Sequence, residues 1–239
     1  MGSGAVRDIT LDAARGIALI LMVIYHILFD LAYFGIYTIH PEMRYAAIPI
    51  AGAFIFIAGI SLHLKAESLK RRLDNDELSR SLLQRGALLL LIASGITLAT
   101  WIYPHEGFII WGILHLIGAG TILAIPFLRL GRWNILPAAL ILIIWLFLYP
   151  VSGPDYLIPL GIHPPGFYSL DYEPIIPWFA VMLLGIATGS ILYTKNIARR
   201  EMKKPVQALA FIGRHTLIIY LIHQPIIILL LIAVGMVTL

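Results

Sequence analysis

The sequence predicts an all-α membrane protein, a polytopic bundle of about seven transmembrane helices. Hydrophobic residues make up 60% of the chain and charged residues 13%, whereas a soluble domain is about 45–50% apolar and about 25% charged. The mean hydropathy is +0.90. The apolar residues are gathered into runs, most of them near the roughly 20 residues that a helix needs to cross a bilayer. Composition and patterning therefore indicate an integral membrane protein with several spans.

Seven apolar runs qualify as spans, and we expect them to form a single domain over residues 1–239. The fifth run is the shortest, with Pro137 near its start and Pro150 at its end. The seventh is the longest, and we expect "ALAFIGRHT" at its beginning to form an interfacial segment before the span itself. The predicted spans are residues 13–36, 44–64, 84–103, 108–128, 135–151, 174–194 and 210–238.

The positive residues predict which ends of the helices face the cytoplasm. If the spans alternate in direction, all 17 lysines and arginines except Arg44 lie on the side of the N-terminus. By the positive-inside rule, the N-terminus is then cytoplasmic and the C-terminus lies outside a cell membrane. The position of the basic residues on the cytoplasmic side explains the net charge of +4 without a nucleic-acid partner. We therefore predict the lipid bilayer as a partner and no nucleic acid. The basic loops are "KAESLKRRLDNDELSRSLLQR" (65–85), "RLGR" (129–132) and "KNIARREMKK" (195–204).

Two features outside the spans narrow the chemistry. The chain has no cysteine, which excludes disulfides, thiolate metal sites and a cysteine nucleophile. The longest segment between spans, residues 152–174, is rich in proline and glycine but too apolar for a solvated linker. We expect it to fold back as a lid or re-entrant loop on the outer side, since irregular backbone at that depth must be buried in protein or line a cavity.

The first span carries two ionisable residues near its outer end, His26 and Asp30. Such residues are costly within a membrane and are functional candidates by default. Their i, i+4 spacing places them on one face of a helix, where a carboxylate can hold one imidazole nitrogen and raise the basicity of the other. This pattern predicts a general base, His26, oriented by Asp30. The alternative is a polar pair that joins two helices.

Two further spans carry polar residues near their centres: His115 in the fourth, and His223 with Gln224 in the seventh. For either histidine alone, an interhelical hydrogen bond is as good an explanation as chemistry. Three histidines at overlapping depths favour a shared site. They could in principle bind a metal, but no ligand spacing supports this, and we predict none. Histidines near span ends or in loops are expected to be interfacial: His63, His105, His163 and His215.

Three arginines begin or lie just inside spans on the predicted cytoplasmic side: Arg15, Arg85 and Arg214. Arginines at this depth either extend to lipid phosphates or, if they converge on a cavity, bind a phosphorylated ligand. The predicted outer face is acidic apart from Arg44, which would attract a cationic acceptor such as an amine. Exclusion of basic residues from that face explains the pattern equally well. Its acidic residues are Glu42, Glu106, Asp155, Asp171 and Glu173.

Four motifs, in order along the chain, resemble those of membrane acyltransferases. "LDAARGIALILMVIYH" (11–26) is similar to their first-helix signature, and "FIFIAGISL" (54–62) to the Phe-rich second helix. "DYEPIIPWFAVMLLGIATG" (171–189) and "GRHTLIIYLIHQPI" (213–226) resemble elements of the prokaryotic heparan-α-glucosaminide N-acetyltransferase-like branch. The matches extend from the first span to the last, so we expect one acyltransferase-like domain.

This resemblance implies an integral membrane acyltransferase that takes an acyl group, preferably acetyl, from cytoplasmic acyl-CoA. The acceptor is expected to be an amine or hydroxyl of a small molecule or glycan, preferably a sugar, on the outer side. The resemblance implies His26 as the catalytic base, with His223 lining or supporting the cavity. Asp30 is added as a catalytic partner from its spacing alone, and His115, His223 and Gln224 are the candidate oxyanion donors. The resemblance leaves open whether the chain acts alone or as a homo-oligomer. The remaining expected substrate-binding residues are Asp171, Glu173, Trp178 and Tyr220, and the expected acyl-CoA-binding residues are Arg15, Arg85 and Arg214.

A proton-coupled transporter is the alternative, because the intramembrane His and Asp residues could form a proton relay. The absence of a pair of broken, inverted-repeat helices counts against it. A retinal protein is excluded by the lack of a lysine in the seventh span. A purely structural membrane protein leaves the intramembrane histidines unexplained.

Overall fold

The computed structural model describes residues 8–38, 40–193 and 204–237. Within these ranges the secondary structure is helical, with two isolated β-bridges and no β-strand. The helices are α1 (Ile9–Tyr33), α2 (Ala47–Lys70), α3 (Asn75–Ile102), α4 (Ile113–Leu123), α5 (Ile135–Leu148), α6 (Ile175–Leu192), α7 (Lys204–Arg214) and α8 (Thr216–Ala233). Short 3₁₀ segments lie at Pro41–Ala46, Pro126–Arg129, Gly131–Asn134 and Asp155–Leu160. Most of the basic loop 195–204 lies outside the described residues.

Six of the described helices are long and apolar enough to cross a membrane, which confirms a multi-pass, all-α membrane protein. The fourth predicted span is shorter than expected: α4 has 11 residues, about 16 Å at 1.5 Å per residue. Residues ahead of it form a loop, and Pro126 begins a 3₁₀ turn after it. The seventh predicted span is divided into α7 and α8, so the lead-in segment is a helix of its own. The direction of the spans stays a prediction.

The chain forms two compact units. One contains Met1–Phe54 and Ala198–Leu239, and we call it the terminal unit. The other contains Ile55–Ile197 and is called the central unit. The two units hold different parts of the predicted site, because His26, Asp30, His223 and Gln224 belong to the terminal unit and His115 to the central unit.

In the terminal unit, α1 packs closely along α7 because glycines replace larger residues at the contact. A Cβ on Gly16 would collide with the carbonyl oxygen of Leu209, and a Cβ on Gly213 would collide with that of Asp12. The beginning of α1 is capped by Asp8, whose Oδ1 accepts hydrogen bonds from the Thr10 and Leu11 amides at 2.7 and 3.2 Å. The segment "LDAARG", which begins the first acyltransferase-like motif, therefore forms a tightly packed helix start.

The α8 helix packs on α1 through an apolar face with i, i+4 spacing. Ile227 and Leu231 are buried and contact a cluster that includes Val23 and Leu31 of α1. His223 lies one turn before Ile227 on the same face, because residues four apart on a helix are neighbours. The apolar contact thus turns His223 towards α1.

The central unit uses the same kind of close packing. A Cβ on Gly59 of α2 would collide with the Met182 carbonyl oxygen of α6, and a Cβ on Gly185 with that of Phe56. The beginning of α3 is closed by a capping box, in which Asp74 Oδ1 accepts from the Glu77 amide at 2.8 Å and Glu77 Oε2 accepts from the Asp74 amide at 3.3 Å.

The long segment 152–174 is irregular apart from one 3₁₀ turn, as the sequence predicts, and it pairs with the loop before α4. The Leu170 amide donates to the Gly107 carbonyl at 2.8 Å, and the Glu173 amide donates to the Trp111 carbonyl at 3.1 Å. The Tyr172 hydroxyl donates to the Ile158 carbonyl at 2.8 Å. These bonds hold the residues just before α6 against the start of α4.

Replacing Gly185 with Ala should lower the apparent melting temperature of the purified protein by several degrees. The added methyl group has no space against the Phe56 carbonyl, and overpacking of this kind costs about 1–3 kcal/mol. The matched control is Gly95→Ala, since a Cβ at Gly95 of α3 meets no atom within 4 Å. A Gly185→Ala protein that melts with the Gly95→Ala protein would contradict this packing.

Candidate functional site

The terminal unit brings two of the predicted catalytic histidines together, although they lie on the first and last helices. The ring centroids of His26 on α1 and His223 on α8 are 4.9 Å apart, with the planes tilted by 58°. His223 is buried and His26 is partly exposed. Two imidazoles at this separation can exchange or share a proton directly or through one water molecule.

The hydrogen bonding of His223 defines its neutral tautomer. Its Nδ1 atom lies 2.6 Å from the carbonyl oxygen of Tyr220. A carbonyl oxygen only accepts, so Nδ1 carries the proton and Nε2 has the lone pair. The Nε2 atom is buried. His223 therefore presents a proton-accepting nitrogen inside the unit, which is what a catalytic base or its partner requires.

A proline follows directly after His223 and Gln224. Pro225 lies inside α8 and has no N–H, so the Leu221 carbonyl loses its regular helical partner. Proline within a membrane helix frees backbone groups that neighbouring polar groups then satisfy. The helix is thus locally weakened next to the histidine.

Asp30 is paired with a residue that the sequence does not suggest. The amide nitrogen of Gln224 donates to both carboxylate oxygens, at 2.9 and 2.8 Å. Asp30 is only 3% exposed, so this pair fixes α1 against α8 one turn beyond His26. The Gln224 Oε1 atom is buried and has no hydrogen-bond partner within the described part of the chain. Orientation of His26 by Asp30 stays a prediction.

Two of the three predicted acyl-CoA-binding arginines converge in the terminal unit on one buried carboxylate. Arg15 forms a salt bridge with Asp12 Oδ1, and Arg214 Nε lies 3.6 Å from Asp12 Oδ2. Asp12 is 4% exposed. Two guanidinium groups and one carboxylate leave one net positive charge, which fits a phosphate group. Arg85 belongs to the central unit, where it is exposed on α3.

In the central unit, Asp171 and His115 organise the beginning of α4. Asp171 Oδ2 accepts from the Ile113 amide at 3.1 Å, and a side chain at Gly112 would collide with this carboxylate. His115 Nδ1 accepts from the Gly112 amide at 3.2 Å, and its Nε2 lies 3.3 Å from the Thr97 hydroxyl. Both imidazole nitrogens are therefore engaged, and His115 acts here as a capping residue.

Glu173 follows two residues after Asp171, and its surroundings favour the protonated form of its carboxyl. Burial raises the pKa of the Glu173 carboxyl well above its ordinary range, and the negative charge of Asp171 and the hydrogen bond to it raise it further. The Glu173 Oε2 atom is buried without a hydrogen-bond partner among the described residues. Burial also raises the pKa of Tyr172, to about 12.

Comparison with protein families decides the identity. The family described as heparan-alpha-glucosaminide N-acetyltransferase, catalytic, matches residues 7–225. The chain belongs to that family. No curated protein and no solved structure matched it. The matched range includes the histidine pair, the Asp12 cluster and the Asp171–Glu173 cluster.

Membership in the heparan-alpha-glucosaminide N-acetyltransferase family makes the chain a membrane acetyltransferase by class. It favours the enzyme over the transporter alternative. His63 is buried and packs against Gly189, and its position at the membrane interface stays a prediction. His105 and His215 are exposed, and His163 and Trp178 are partly buried. Within the described ranges, no group of three or more His, Asp or Glu residues is arranged to hold a metal ion.

Two residues of these clusters were missed from the sequence. Asp12 stands three residues before Arg15, a spacing that predicts an ion pair on a helix. Trp111 stacks its ring on that of His115, with centroids 5.4 Å apart, and no local pattern signals this contact. Its Nε1 atom is buried and lacks a partner in the part of the chain that the structure describes.

Replacing Gln224 with Leu should destabilise the acetyltransferase, because the buried Asp30 carboxylate loses both hydrogen bonds. The loss of a partner for a buried charged group costs about 3–5 kcal/mol. The Asp30→Leu/Gln224→Leu double variant should melt above the Gln224→Leu single variant, since it leaves no unpaired carboxylate. Additive losses in this double-mutant cycle would argue against the pairing.

The contribution of Glu173 to the stability of the protein should fall as the pH rises above 4.5, the ordinary pKa of a glutamic acid. Above that pH the unfolded chain releases the Glu173 proton while the folded chain retains it, so the folded state binds more protons and is progressively disfavoured. The Glu173→Gln variant should lose this component of the pH dependence. Identical melting profiles for the two proteins between pH 4.5 and 8 would contradict the protonated Glu173.

Proposed function

We propose that this acetyltransferase takes the acetyl group from acetyl-CoA in the cytoplasm and transfers it to an amine or hydroxyl acceptor at the outer side of the cell membrane. A sugar is the preferred acceptor. The observation that carries the proposal is the His26–His223 pair, with rings 4.9 Å apart and a proton-accepting nitrogen on His223. The family supplies the reaction class. The chain acts as one domain over residues 1–239.

The histidine pair performs the proton transfers. His26 takes the proton from the acceptor's N–H or O–H as that atom bonds to the acetyl carbon. The C–S bond of the thioester breaks, and the proton then passes to the departing thiolate, so the pair ends as it began. His223 accepts from or donates to His26 through its Nε2 atom. The Asp30 carboxylate, held by Gln224, offsets the positive charge that develops on the imidazoles.

Acetyl-CoA supplies the activated acetyl group. Arg15 and Arg214 are the residues that hold its phosphates, and Asp12 positions both guanidinium groups. Arg85, which is exposed on α3 of the central unit, stays a further proposed acyl-CoA-binding residue. This arrangement fits a phosphorylated donor because the carboxylate neutralises one of the two arginines and leaves the other charge available.

The buried Gln224 Oε1 is a hydrogen-bond acceptor beside the histidines, and it suits the N–H or O–H of a substrate. Tyr220, one turn before Gln224, places its ring 5.6 Å from that of His223. We include Tyr220 and Gln224 among the proposed substrate-binding residues. Asp171, Glu173 and Trp178 are included because they belong to the family motif at 171–189, and His115 because it lies near the centre of the fourth predicted span.

Replacing His26 with Ala should reduce acetyl transfer by at least about 100-fold, because a positioned general base contributes roughly 10²–10⁴-fold. The purified protein in nanodiscs is given acetyl-CoA and a panel of amines, amino sugars and neutral sugars, and release of CoA thiol is measured. The matched control is His215→Asn, an exposed histidine of the same unit. Acetyl-CoA binding, measured by calorimetry, should be unchanged in the His26→Ala protein.

Wild-type protein that binds no acetyl-CoA and consumes none with any acceptor would overturn the proposal. Full transfer by His26→Ala would overturn the base assignment alone. Substrate-dependent acidification of liposomes without thioester consumption would support the transporter alternative instead.

A further inference from the structure

The central unit contains a cavity of about 320 Å³ that the proposed reaction does not use. Three segments line it: the end of α2, the first two turns of α3, and the turn at 125–129 that follows α4. Cavities that bind small ligands have volumes of about 300–1,000 Å³, so this one has room for a small polar group and a few methylene groups. It is therefore a candidate binding site.

One wall of the cavity is apolar and buried. Leu78 and Leu82 lie four residues apart on one face of α3, and Leu128 lies on the turn after α4. Their exposed fractions are 6%, 1% and 5%. Leucine side chains offer no hydrogen bond, so this wall suits hydrocarbon rather than a solvated ion.

Two cationic side chains, Lys70 and Arg129, line the same cavity from different segments. The described residues that line it include no Asp or Glu. Arg129 is exposed and forms no ion pair within the described part of the chain. Lys70 Nζ donates to Glu67 Oε1 at 2.7 Å, which leaves two of its three N–H groups for another acceptor. The cavity therefore favours an anionic ligand.

The carboxylates at the start of α3 do not line the cavity. Asp74 Oδ1 accepts from the Asp76 and Glu77 amides at 3.0 and 2.8 Å, and Glu77 Oε2 accepts from the Asp74 amide at 3.3 Å. The Asp76 side chain is exposed. Because the capping box occupies these amides, the positive charge of the cavity comes from Lys70 and Arg129 rather than from the helix start.

Two uncharged polar residues, Asn75 and Ser79, complete the lining on α3. Ser79 Oγ donates to the Asn75 carbonyl at 2.8 Å, so its oxygen keeps its lone pairs and can accept a hydroxyl proton. The Asn75 side chain carries both an N–H donor and a carbonyl acceptor. These groups suit a ligand with hydroxyl groups, while the neighbouring cations disfavour an ammonium group.

The cavity lies at an end of the apolar helices, which is where lipid head groups are found. The basic segments 65–85 and 129–132 lie at the same end and predict that it faces the cytoplasm. The predicted span of α3 begins at residue 84, and Leu83 and Leu88 are 45% and 56% exposed. Basic pockets between membrane helices at this level bind anionic lipid head groups. An acyl chain that leaves the cavity would meet an apolar helix surface.

We propose that this cavity binds an anionic phospholipid whose head group is uncharged and carries hydroxyl groups. Lys70 and Arg129 neutralise the phosphate, and the buried leucines contact the first methylene groups of the acyl chains. Asn75 and Ser79 bond to the head-group hydroxyls. A zwitterionic lipid brings an ammonium group towards the two cations and binds more weakly. Free phosphate gains nothing from the apolar wall.

This lipid site goes beyond the proposed acetyl transfer, because it requires neither the His26–His223 pair nor an acyl donor. Acetyl-CoA also carries phosphate groups and is therefore included as a competitor. Lipid binding is measured without any acceptor, so it is tested independently of the proposed reaction.

The experiment uses the full chain, purified in detergent, stripped of lipid and titrated with dioctanoyl phosphatidylglycerol or dioctanoyl phosphatidylcholine. Native mass spectrometry counts the bound lipids and gives the Kd. We expect one phosphatidylglycerol to bind about tenfold more tightly than phosphatidylcholine, because the second lipid has no net charge. Inorganic phosphate and acetyl-CoA, each added at the lipid concentration, should not displace it.

The Kd for phosphatidylglycerol should rise about tenfold in Arg129→Gln and in Lys70→Gln, since each variant loses a charged partner of the phosphate. The matched controls are Arg132→Gln and Arg71→Gln, which remove the same charge from exposed residues of the same unit that do not line the cavity. Both controls should bind phosphatidylglycerol normally.

Ser79→Leu should abolish phosphatidylglycerol binding although both cations remain, because the larger side chain takes up part of the cavity. Leucine is a better helix former than serine, so α3 should be retained. The melting temperature without lipid checks that the variant is folded.

Equal affinity in Arg129→Gln and Arg132→Gln would indicate lipid held only by the general surface charge and would overturn the site, as would normal binding in a folded Ser79→Leu protein. Displacement by inorganic phosphate would indicate a free-anion site. Displacement by acetyl-CoA would assign the cavity to the acyl donor, and either result would overturn the lipid assignment. Phosphatidylglycerol binding by a protein that transfers no acetyl group would leave this site standing and count only against the proposed reaction.

Discussion

A polar group buried among apolar helices has no water to bond, so it must bond to another polar group. This constraint determines how the buried carboxylates of Asp30 and Asp12 are paired in the acetyltransferase. Gln224 satisfies the two oxygens of Asp30, and Asp12 pairs with Arg15 and Arg214. The Gln224–Asp30 bonds join α8 to α1, and the Arg214–Asp12 contact joins α7 to α1. The Arg15–Asp12 salt bridge lies within α1 and holds the same carboxylate. The polar side chains therefore act as both the candidate chemical groups and the connections that hold the first helix to the last two.

Glycine at the helix contacts makes these bonds possible. Gly16 and Gly213 let α1 and α7 approach until backbone meets backbone, and Gly59 and Gly185 do the same for α2 and α6. Without a hydrophobic driving force between helices in lipid, such close van der Waals contact is a main source of association. The packing brings short side chains such as Asp12 within reach of their partners, so stability and site geometry depend on the same small residues.

Two of the buried histidines, His115 and His223, show how hydrogen bonding separates chemical roles that the sequence leaves equal. His223 uses Nδ1 on a backbone carbonyl and keeps the lone pair of Nε2, whereas His115 has partners at both nitrogens. The first is suited to proton transfer and the second to holding a helix start. Asp171 and Glu173 also differ in role. The Asp171 carboxylate accepts a hydrogen bond from the start of α4, whereas burial and the charge of Asp171 favour the protonated form of Glu173.

The sequence by itself determined the membrane class, most of the spans, the family and the motifs that contain His26 and His223, because these depend on composition, run length and local spacing. It could not determine that α4 is short or that α8 begins anew at Thr216. It paired Asp30 with His26 from their spacing, but only the tertiary structure placed Gln224, 194 residues away, on that carboxylate. The same holds for the backbone hydrogen bond from the Glu173 amide to the Trp111 carbonyl. Hydrogen-bond partners distant in sequence are decided by how helices and loops pack, and no local periodicity encodes them.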